Sequence, residues 1–380
     1  MHTHMFGMFW GAIVKTVFVL GAGASHAAGA PLMAGFLKTA KELHAANRFG
    51  ASAPQIQSVL DAAYKDLKPV VANAQFTNLT NIEELFSAID IGDLIGSFGN
   101  RPPASIAELR RAIVVFITRT IEEPITVPHT ATSITPPGDY DMLTKLVRAK
   151  IEKTAGLGRN DISFITFNYD TCLEYGLVRR TLGIDYGLNE PFIDPAEDRY
   201  QLRVPVLKLH GSINWARCPK CAKIVPTEID PWRNITTIDL VDTPVLRLNL
   251  GSRIAGKHHS CGTPLEPEPV SVPPTWNKSA STRDLEMVWQ RAAREIGSAE
   301  NIIVIGYSFP KTDMFFKYLF ALGSHSDTHL ESFTVINGPN SEAVKAQFAD
   351  LLGPMSSDGF KYYEFLLAGS EHIVKEILDQ

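Results

Sequence analysis

A short apolar run followed at once by two glycines is the feature that most constrains this chain. Residues 17–25 read VFVLGAGAS, so a strand-like segment ends directly at Gly21, and Gly23 follows after one alanine. Glycines placed there let the backbone turn sharply and approach an anion, and a helix that begins there offers free N–H groups. The pattern predicts a pyrophosphate-binding turn, with an ordinary tight turn as the alternative. The third glycine of the G-x-G-x-x-G dehydrogenase fingerprint would fall on His26, which disfavours hydride transfer.

A turn of this kind needs a parallel sheet around it, and the chain supplies strand-like and helical patterns in alternation. The candidate strands are residues 17–20, 162–167, 206–209, 302–305, 333–336 and 362–365. Apolar periodicity predicts helices near residues 141–154, 171–180, 282–297, 341–352 and 370–378. We therefore expect an α/β protein with a Rossmann-like parallel sheet and helices on both faces.

Two segments exceed what a sheet of this kind needs, and both are expected to be insertions within one domain spanning residues 1–380. The first, residues 36–154, is predicted to be helical, because roughly 120 residues separate the first two strands. Capping boxes at Thr80–Glu83 and Ser105–Glu108 are predicted to open two of its helices. The second, residues 215–274, is rich in proline and cysteine and has no helical period, so we expect a small zinc-ribbon-like insertion.

Composition excludes several classes of function. The 380 residues carry 36 Lys plus Arg against 41 Asp plus Glu, a net charge of −5, with no basic block that would indicate direct nucleic-acid binding. No segment is apolar for long enough to cross a membrane, and the apolar N-terminus lacks the basic flank of a secretory signal. Residues 1–13 are interpreted as an extension of unknown purpose. We expect a cytoplasmic protein, in which four cysteines do not form a disulfide framework.

Polar side chains follow several predicted strands at the point where each strand ends. They are Asn168 and Asp170 in FNYD, His210 in LHGS, Ser308 in GYS, and Asn337 in VIN. In an open parallel sheet the ligand crevice lies outside the carboxyl ends of the strands, so these side chains are predicted to converge on the glycine turn. Taken singly, each has a plain structural alternative. For Asp170 that alternative is the N-cap of the helix beginning near residue 171.

The cysteines suggest a metal site. Cys218-x-x-Cys221 is followed by His258-x-x-Cys261, and two such pairs can supply the four tetrahedral ligands of structural zinc. His259 is the rival to His258 as the fourth ligand, and unmetallated loop cysteines are the alternative to a site. Cys172 is expected to be a buried thiol within a helix.

Taken in order, the motifs GAGAS, FNYD, LHGS, CPKC with a later CG, GYS and VIN resemble those of the sirtuin family, and more closely its bacterial branch associated with phage defence. The resemblance implies a fold that binds NAD and breaks the bond between nicotinamide and ribose. It places Asn168 and His210 at catalytic positions. It also places a set of residues at NAD-binding positions, namely Gly21, Ala22, Gly23, Ser25, Gly211, Gly306, Ser308 and Asn337.

The chain departs from the protein deacylases of that family in two places. Where they have a proline, aspartate, phenylalanine, arginine stretch after the glycine turn, this chain continues from Pro31 through Leu and Met. The valine run and Phe-Gly-Glu that help clamp an acyl-lysine peptide are replaced by a proline-rich stretch after Cys261. These departures favour an NAD hydrolase, a toxic or anti-phage effector. A protein deacylase and a non-catalytic module that senses NAD or ADP-ribose are the alternatives.

Hydrolysis of NAD passes through a ribosyl cation, so the site needs fixed dipoles and a group that takes a proton from the nucleophile. His210 is predicted to be that general base, Asn168 to orient the nucleophile and the ribose, and Asp170 to support the cation or hold its loop. Because free NAD hydrolysis would kill the cell, control is expected to come from residues 36–154. We expect a homo-oligomer, activated by a partner such as a HerA-type ATPase or an Argonaute-like sensor.

Overall fold

The computed structural model describes residues 14–67, 82–154, 161–188, 200, 202–229, 245–247, 254, 256–272, 285–309, 314–323, 330–339, 342–352, 359–364 and 367–379. The N-terminal extension, residues 1–13, and Thr80 of the first predicted capping box lie outside these ranges. In chain order the strands are β1 (Thr16–Leu20), β2 (Ile162–Thr166), β3 (Gly183–Asp185), β4 (Arg203–Lys208), β5 (Trp215–Arg217), β6 (Ile224–Pro226), β7 (Asn301–Ile305), β8 (Ser332–Asn337) and β9 (Phe360–Glu364).

Seven of these strands form one parallel sheet in the order β3-β4-β2-β1-β7-β8-β9. The predicted Rossmann-like α/β fold with helices on both faces is confirmed. All five residues of β1 are buried, as expected for a strand covered on both faces. Thr16 of β1 pairs with Ile162 of β2 on one side and with Asn301 of β7 on the other. Chain order reverses between β1 and β7, so the topological switch point lies there.

The α-helices of the described residues are α1 (Phe36–Ala45), α2 (Ala53–Asp61), α3 (Ile82–Ile95), α4 (Pro103–Glu122), α5 (Tyr140–Thr154), α6 (Cys172–Arg179), α7 (Glu286–Gly297), α8 (Met314–Gly323), α9 (Glu342–Leu352) and α10 (Glu371–Asp379). Helices α1 to α5 lie between β1 and β2, where the sequence predicts a helical insertion. Their apolar residues recur at helical spacing. In α4, for example, Ile106, Leu109, Ile113 and Phe116 are all buried.

The predicted capping box at Ser105–Glu108 is wrong. Helix α4 begins at Pro103, with Pro102 as its N-cap, and the carbonyl of Pro102 accepts hydrogen bonds from the backbone N–H groups of Ser105 and Ile106. Proline is favoured at the first helical position because its φ is already helical and it has no N–H to satisfy. Ser105 therefore lies inside the first turn instead of in front of it.

Two short pairings were not predicted. Strand β3 extends the main sheet beyond β4, and β5 and β6 form a separate antiparallel hairpin. A second, small apolar cluster surrounds this hairpin, consisting of Ala216, Cys218, Val225, Ile254 and Leu265. The hairpin segment thus carries a core of its own beside the large core that covers the sheet.

Among the helices that the structure describes, none combines the length and the apolar character that crossing a bilayer requires.

Candidate functional site

The glycine turns that follow β1 and β7 lie against each other at the switch point. Gly21 donates its backbone N–H to the carbonyl of Ile305 at 3.0 Å, and Gly23 donates to the carbonyl of Gly306 at 2.8 Å. A Cβ on Gly21 would lie 2.6 Å from the carbonyl oxygen of Gly306. Gly306 has φ +61°, and a Cβ there would lie 2.2 Å from the backbone nitrogen of Ala24. Two backbones can approach this closely only because Gly21, Gly23 and Gly306 have no side chains.

The segment after the β1 turn is a 3-10 helix, Ala22–Ala28, and not the α-helix that the phosphate-turn pattern suggests. It ends at Gly29, whose φ of +105° is left-handed. Within it Ser25 is fully buried, while Ala22 and Gly23 are half-buried. Ala22 and Gly23 thus leave one side of the turn accessible, and the buried Ser25 anchors the other side.

Asn168, after β2, is held directly against this turn. Its side-chain Nδ2 donates to the carbonyl oxygen of Gly21 at 2.9 Å and to Ser25 Oγ at 3.0 Å. Its backbone N–H donates to Thr166 Oγ1, which in turn donates to the carbonyl of Leu20. The structure therefore brings three predicted site residues, Gly21, Ser25 and Asn168, into one hydrogen-bonded group.

His210 follows β4 and lies among aromatic rings. Its ring centroid is 5.2 Å from that of Phe167 and 5.8 Å from that of Tyr169, both in the FNYD segment. Its carbonyl accepts the backbone N–H of Val272 at 2.8 Å. The imidazole is buried, with 5% of the residue exposed, so the structure places it beside the loop that carries Asn168.

Close backbone packing explains why position 211 is a glycine. It has φ +82°, and a Cβ would lie 2.3 Å from the carbonyl oxygen of Val270. Ser212 donates its backbone N–H to that same carbonyl, and Gly211 forms an isolated bridge with Ser271. The chain returning from the cysteine-rich segment thus lies directly on the LHGS loop.

Asp170 contacts the start of α6 from the residue before its N-cap, which is Thr171. Its Oδ1 accepts the backbone N–H of Cys172, the first residue of α6, at 3.0 Å. The backbone carbonyl of Asp170 accepts a hydrogen bond from Lys208 Nζ at 2.5 Å. Lys208 also pairs with Glu174 at 2.7 Å, and both of these side chains are 1% exposed. A buried ion pair therefore lies directly beneath the FNYD loop.

The two remaining predicted positions lie on the β7 and β8 side. Ser308 is exposed, and Asn337 is half-buried at the end of β8. Asn337 Nδ2 donates to the carbonyl of Tyr307 at 3.4 Å, and its Oδ1 accepts the N–H of Gly338 at 3.0 Å. Tyr307 stacks on Phe167, with ring centroids 4.5 Å apart and planes 9° apart, so an aromatic pair spans the carboxyl end of β1.

The predicted metal ligands converge, with one correction. One ligand atom from each of Cys218, Cys221, His259 and Cys261 lies within 4.8 Å of the other three. The sulfur of Cys221 is 3.2 Å from that of Cys218, 3.6 Å from that of Cys261 and 3.3 Å from His259 Nδ1. Tetrahedral zinc with bonds of about 2.3 Å holds its sulfur ligands roughly 3.8 Å apart, so the group fits the ion.

The prediction of His258 as the fourth ligand is wrong, and its rival His259 takes the position. His258 is exposed and forms an isolated bridge with Pro264, whereas His259 is buried with Nδ1 toward the sulfurs. Hydrogen bonds with Thr263 and His259 lower the pKa of Cys261 to about 5, whereas hydrogen bonds with Cys218 and Cys261 raise the pKa of Cys221 to about 11. Cys172 is buried, as expected, and burial raises its pKa well above 9.0.

Sequence reasoning missed three contributors. Tyr140 contacts Ser25 from helix α5, at a separation that no local pattern reveals. Phe167 lies at the end of a predicted strand, and nothing in the sequence marks its ring as part of the site. Lys208 did carry a signal, because a lysine within the otherwise apolar run VPVLKL indicates a buried partner.

No protein-family model matches this chain, and no curated protein matches it. Solved structures of Sir2 proteins are similar over 96% of the chain and 92% of their own length. Sir2Tm bound to a propionylated peptide is 13% identical with a TM-score of 0.34. Sir2 with a p53 peptide and NAD+ is 14% identical with a TM-score of 0.36. A mutant Sir2 homologue with ADP-ribose is 15% identical with a TM-score of 0.38. The fold assignment rests on the sheet topology above.

Proposed function

We propose that this protein is a sirtuin-like enzyme that hydrolyses NAD to ADP-ribose and nicotinamide. The observation that carries the proposal is the meeting of the two glycine turns at the switch point, with Asn168 bonded to Gly21 and Ser25 beside them. A dinucleotide is the ligand that suits a glycine-lined crevice outside the carboxyl ends of parallel strands.

In the proposed reaction, water attacks the ribose carbon that bears nicotinamide. The bond from that carbon to the pyridinium nitrogen breaks, its electron pair leaves with nicotinamide, and His210 takes the proton from water. The aromatic rings of Phe167 and Tyr169 exclude bulk water from the imidazole. Asn168 has both amide N–H groups engaged, so it would accept a hydrogen bond from the ribose or the attacking water through Oδ1. We assign Asp170 to capping α6, where its carboxylate also favours a cation nearby.

In this proposal zinc would stabilise the cysteine-rich segment and would take no part in the reaction. Cys218, Cys221, His259 and Cys261 would hold it in a closed site with no open position for substrate. The ion would cross-link a segment whose own apolar cluster has only five buried members among the described residues. Residues 270–272, which leave this segment, pair with the LHGS loop and thereby connect its folding to the position of His210.

The same pairing engages backbone groups beside the site that a bound peptide could otherwise use. An extended peptide is commonly bound by adding a strand to a free backbone edge. Val270 and Val272, in the described chain after the cysteine-rich segment, donate their N–H groups to Trp215 and His210, and Val270 accepts from Ser212. These groups are therefore engaged within the chain.

Incubation with NAD, with and without an acylated peptide, tests the proposal. We expect nicotinamide and ADP-ribose in equal amounts without peptide, and an enzyme with His210→Ala or Asn168→Ala should lose about 100-fold or more in kcat. The matched control is His258→Ala, at an exposed histidine outside the site. Nicotinamide release only with peptide, with deacylated peptide as product, would identify a deacylase. A third outcome is that the protein binds NAD but does not hydrolyse it, either alone or with a candidate activating partner added. That outcome would identify a sensing module.

A further inference from the structure

A tyrosine from the helices between β1 and β2 enters the site from outside the sheet. Tyr140 is the first residue of α5 and is 1% exposed. Its hydroxyl lies 2.8 Å from Ser25 Oγ, and Ser25 Oγ accepts a hydrogen bond from Asn168 Nδ2 at 3.0 Å. Tyr140 is therefore linked to the Asn168 amide through Ser25, and the Asn168 side chain also interacts with the Tyr140 hydroxyl.

The partners of that amide define its orientation. The carbonyl oxygen of Gly21, 2.9 Å from Nδ2, can only accept, so the nitrogen of Asn168 must face it. The second N–H is directed to Ser25 Oγ. With both N–H groups engaged, Oδ1 is the atom through which Asn168 can meet a ligand, and Oδ1 is an acceptor. Rotating the amide by half a turn would offer a donor instead.

The Gly21 carbonyl is a fixed acceptor, but the Ser25 hydroxyl can rotate, so the second hydrogen bond of the amide depends on what holds that hydroxyl. Tyr140 restricts the rotation, since its own hydroxyl is fixed by the packing of α5. A Cβ on Gly176 of α6 would lie 2.8 Å from Thr144 Cγ2 of α5, so the two helices are in close contact. An ion pair between Asp141 of α5 and Arg180, the residue after α6, adds to this contact. Burial and the nearby Asp170 carboxylate raise the pKa of Tyr140, which keeps the hydroxyl protonated.

We propose that Tyr140 is a positioning residue that, through Ser25, holds the Asn168 amide with Oδ1 as the group presented to the substrate. The proposal rests on the proposed function for its kinetic consequence. It also gives the helices between β1 and β2 a direct connection to the site, because a shift of α5 would loosen the Ser25 hydrogen bond, one of the two that orient the amide. That region would then control activity by changing the orientation of the Asn168 amide, and the crevice itself would stay open.

The kinetic test compares Tyr140→Phe with Tyr186→Phe. Both changes remove only a buried hydroxyl: that of Tyr140 contacts Ser25, whereas that of Tyr186 accepts from Asn214. We expect Tyr140→Phe to lower kcat for NAD about fivefold to tenfold while KM changes less than about twofold. Tyr186→Phe should leave both constants unchanged. If Tyr140→Phe lowered stability as much as Tyr186→Phe but left kcat at the wild-type value, Tyr140 would be a structural residue and the proposal would fail.

A second test needs no activity. Urea unfolding midpoints are measured for Tyr140→Phe, Asn168→Ala and the double variant of the full chain. If Tyr140 and Asn168 belong to one hydrogen-bonded network, the double variant should have nearly the unfolding midpoint of the less stable single variant. Additive shifts would overturn the positioning of Asn168 by Tyr140 even if the wild type hydrolyses NAD. Non-additive shifts in a protein without NAD turnover would refute the proposed hydrolase while supporting the network.

Discussion

Replacing Lys208 with methionine removes one member of the buried ion pair beneath the FNYD loop. Lys208 Nζ lies 2.7 Å from Glu174 Oε1 and 2.5 Å from the carbonyl of Asp170. Methionine fills a similar volume, so the loss is chiefly electrostatic: a carboxylate without its cation and a carbonyl without its donor. Leaving one charge of a buried pair uncompensated costs about 3–5 kcal/mol. That is a large part of the roughly 5–15 kcal/mol by which a typical domain is stable.

The penalty should depend on pH in a definite direction. Burial raises the pKa of Glu174 above its ordinary value of 4.5, against the lowering effect of Lys208. A carboxyl whose pKa is raised on folding contributes stability that is fully present below the unfolded pKa and is lost as pH rises through the folded pKa. Without Lys208 the folded pKa of Glu174 rises further. The Lys208→Met penalty should therefore be small near pH 4.5 and grow toward neutral pH.

Urea unfolding followed by circular dichroism, at about pH 5 and about pH 8, measures this difference. The double variant Lys208→Met with Glu174→Leu is the control, because it removes both charges. It should regain most of the lost stability, with a deficit of about 1–3 kcal/mol for the Asp170 carbonyl. Equal midpoints for Lys208→Met and wild type, or a larger penalty at the lower pH, would refute the electrostatic reasoning.

Two further predictions concern the turns and the metal. Gly306→Ala should lower the free energy of unfolding by about 2 kcal/mol or more and abolish nucleotide binding, because the new methyl would lie 2.2 Å from the next turn. Gly35→Ala, where nothing lies within 4 Å, is its control and should be nearly neutral in thermal unfolding. Metal analysis should find about one zinc per chain. His259→Ala and Cys218→Ser should lose the zinc and lower the melting temperature, whereas His258→Ala should keep both; the reverse result for the two histidines would contradict the ligand assignment.

The central strands could be predicted because burial on both faces leaves a continuous apolar run in the sequence. The run VFVL and its neighbours in β2 and β7 are of this kind, and their predicted bounds agree with the structure to within one residue. Strand β3 escaped prediction, since three residues are too few for any period to show. The start of α4 was missed because Pro103 signals a helix start as strongly as Ser105, and only backbone geometry decides between them.

The loops that form the site could be predicted from the sequence, but the contacts between their side chains could not. Parallel topology alone brings Asn168 and the glycine turn together, because both follow neighbouring strands. The choice between His258 and His259 depends on which way each side chain points in a turn, which spacing does not encode. Tyr140 reaches Ser25 across 115 positions of sequence, and nothing near Tyr140 indicates that partner.

The position of β1 in the sheet also has a consequence for synthesis on the ribosome. Its partner β7 begins at Asn301 of a 380-residue chain, and its other neighbour begins at Ile162. At roughly 5–20 residues per second, the nascent chain waits on the order of tens of seconds before the second edge of β1 can be paired. Throughout that interval Val17, Phe18 and Val19, all fully buried in the finished protein, have one unprotected strand edge beside them. Newly made chains are therefore expected to depend on chaperones, and any product terminated before residue 301 should be prone to aggregate through that edge.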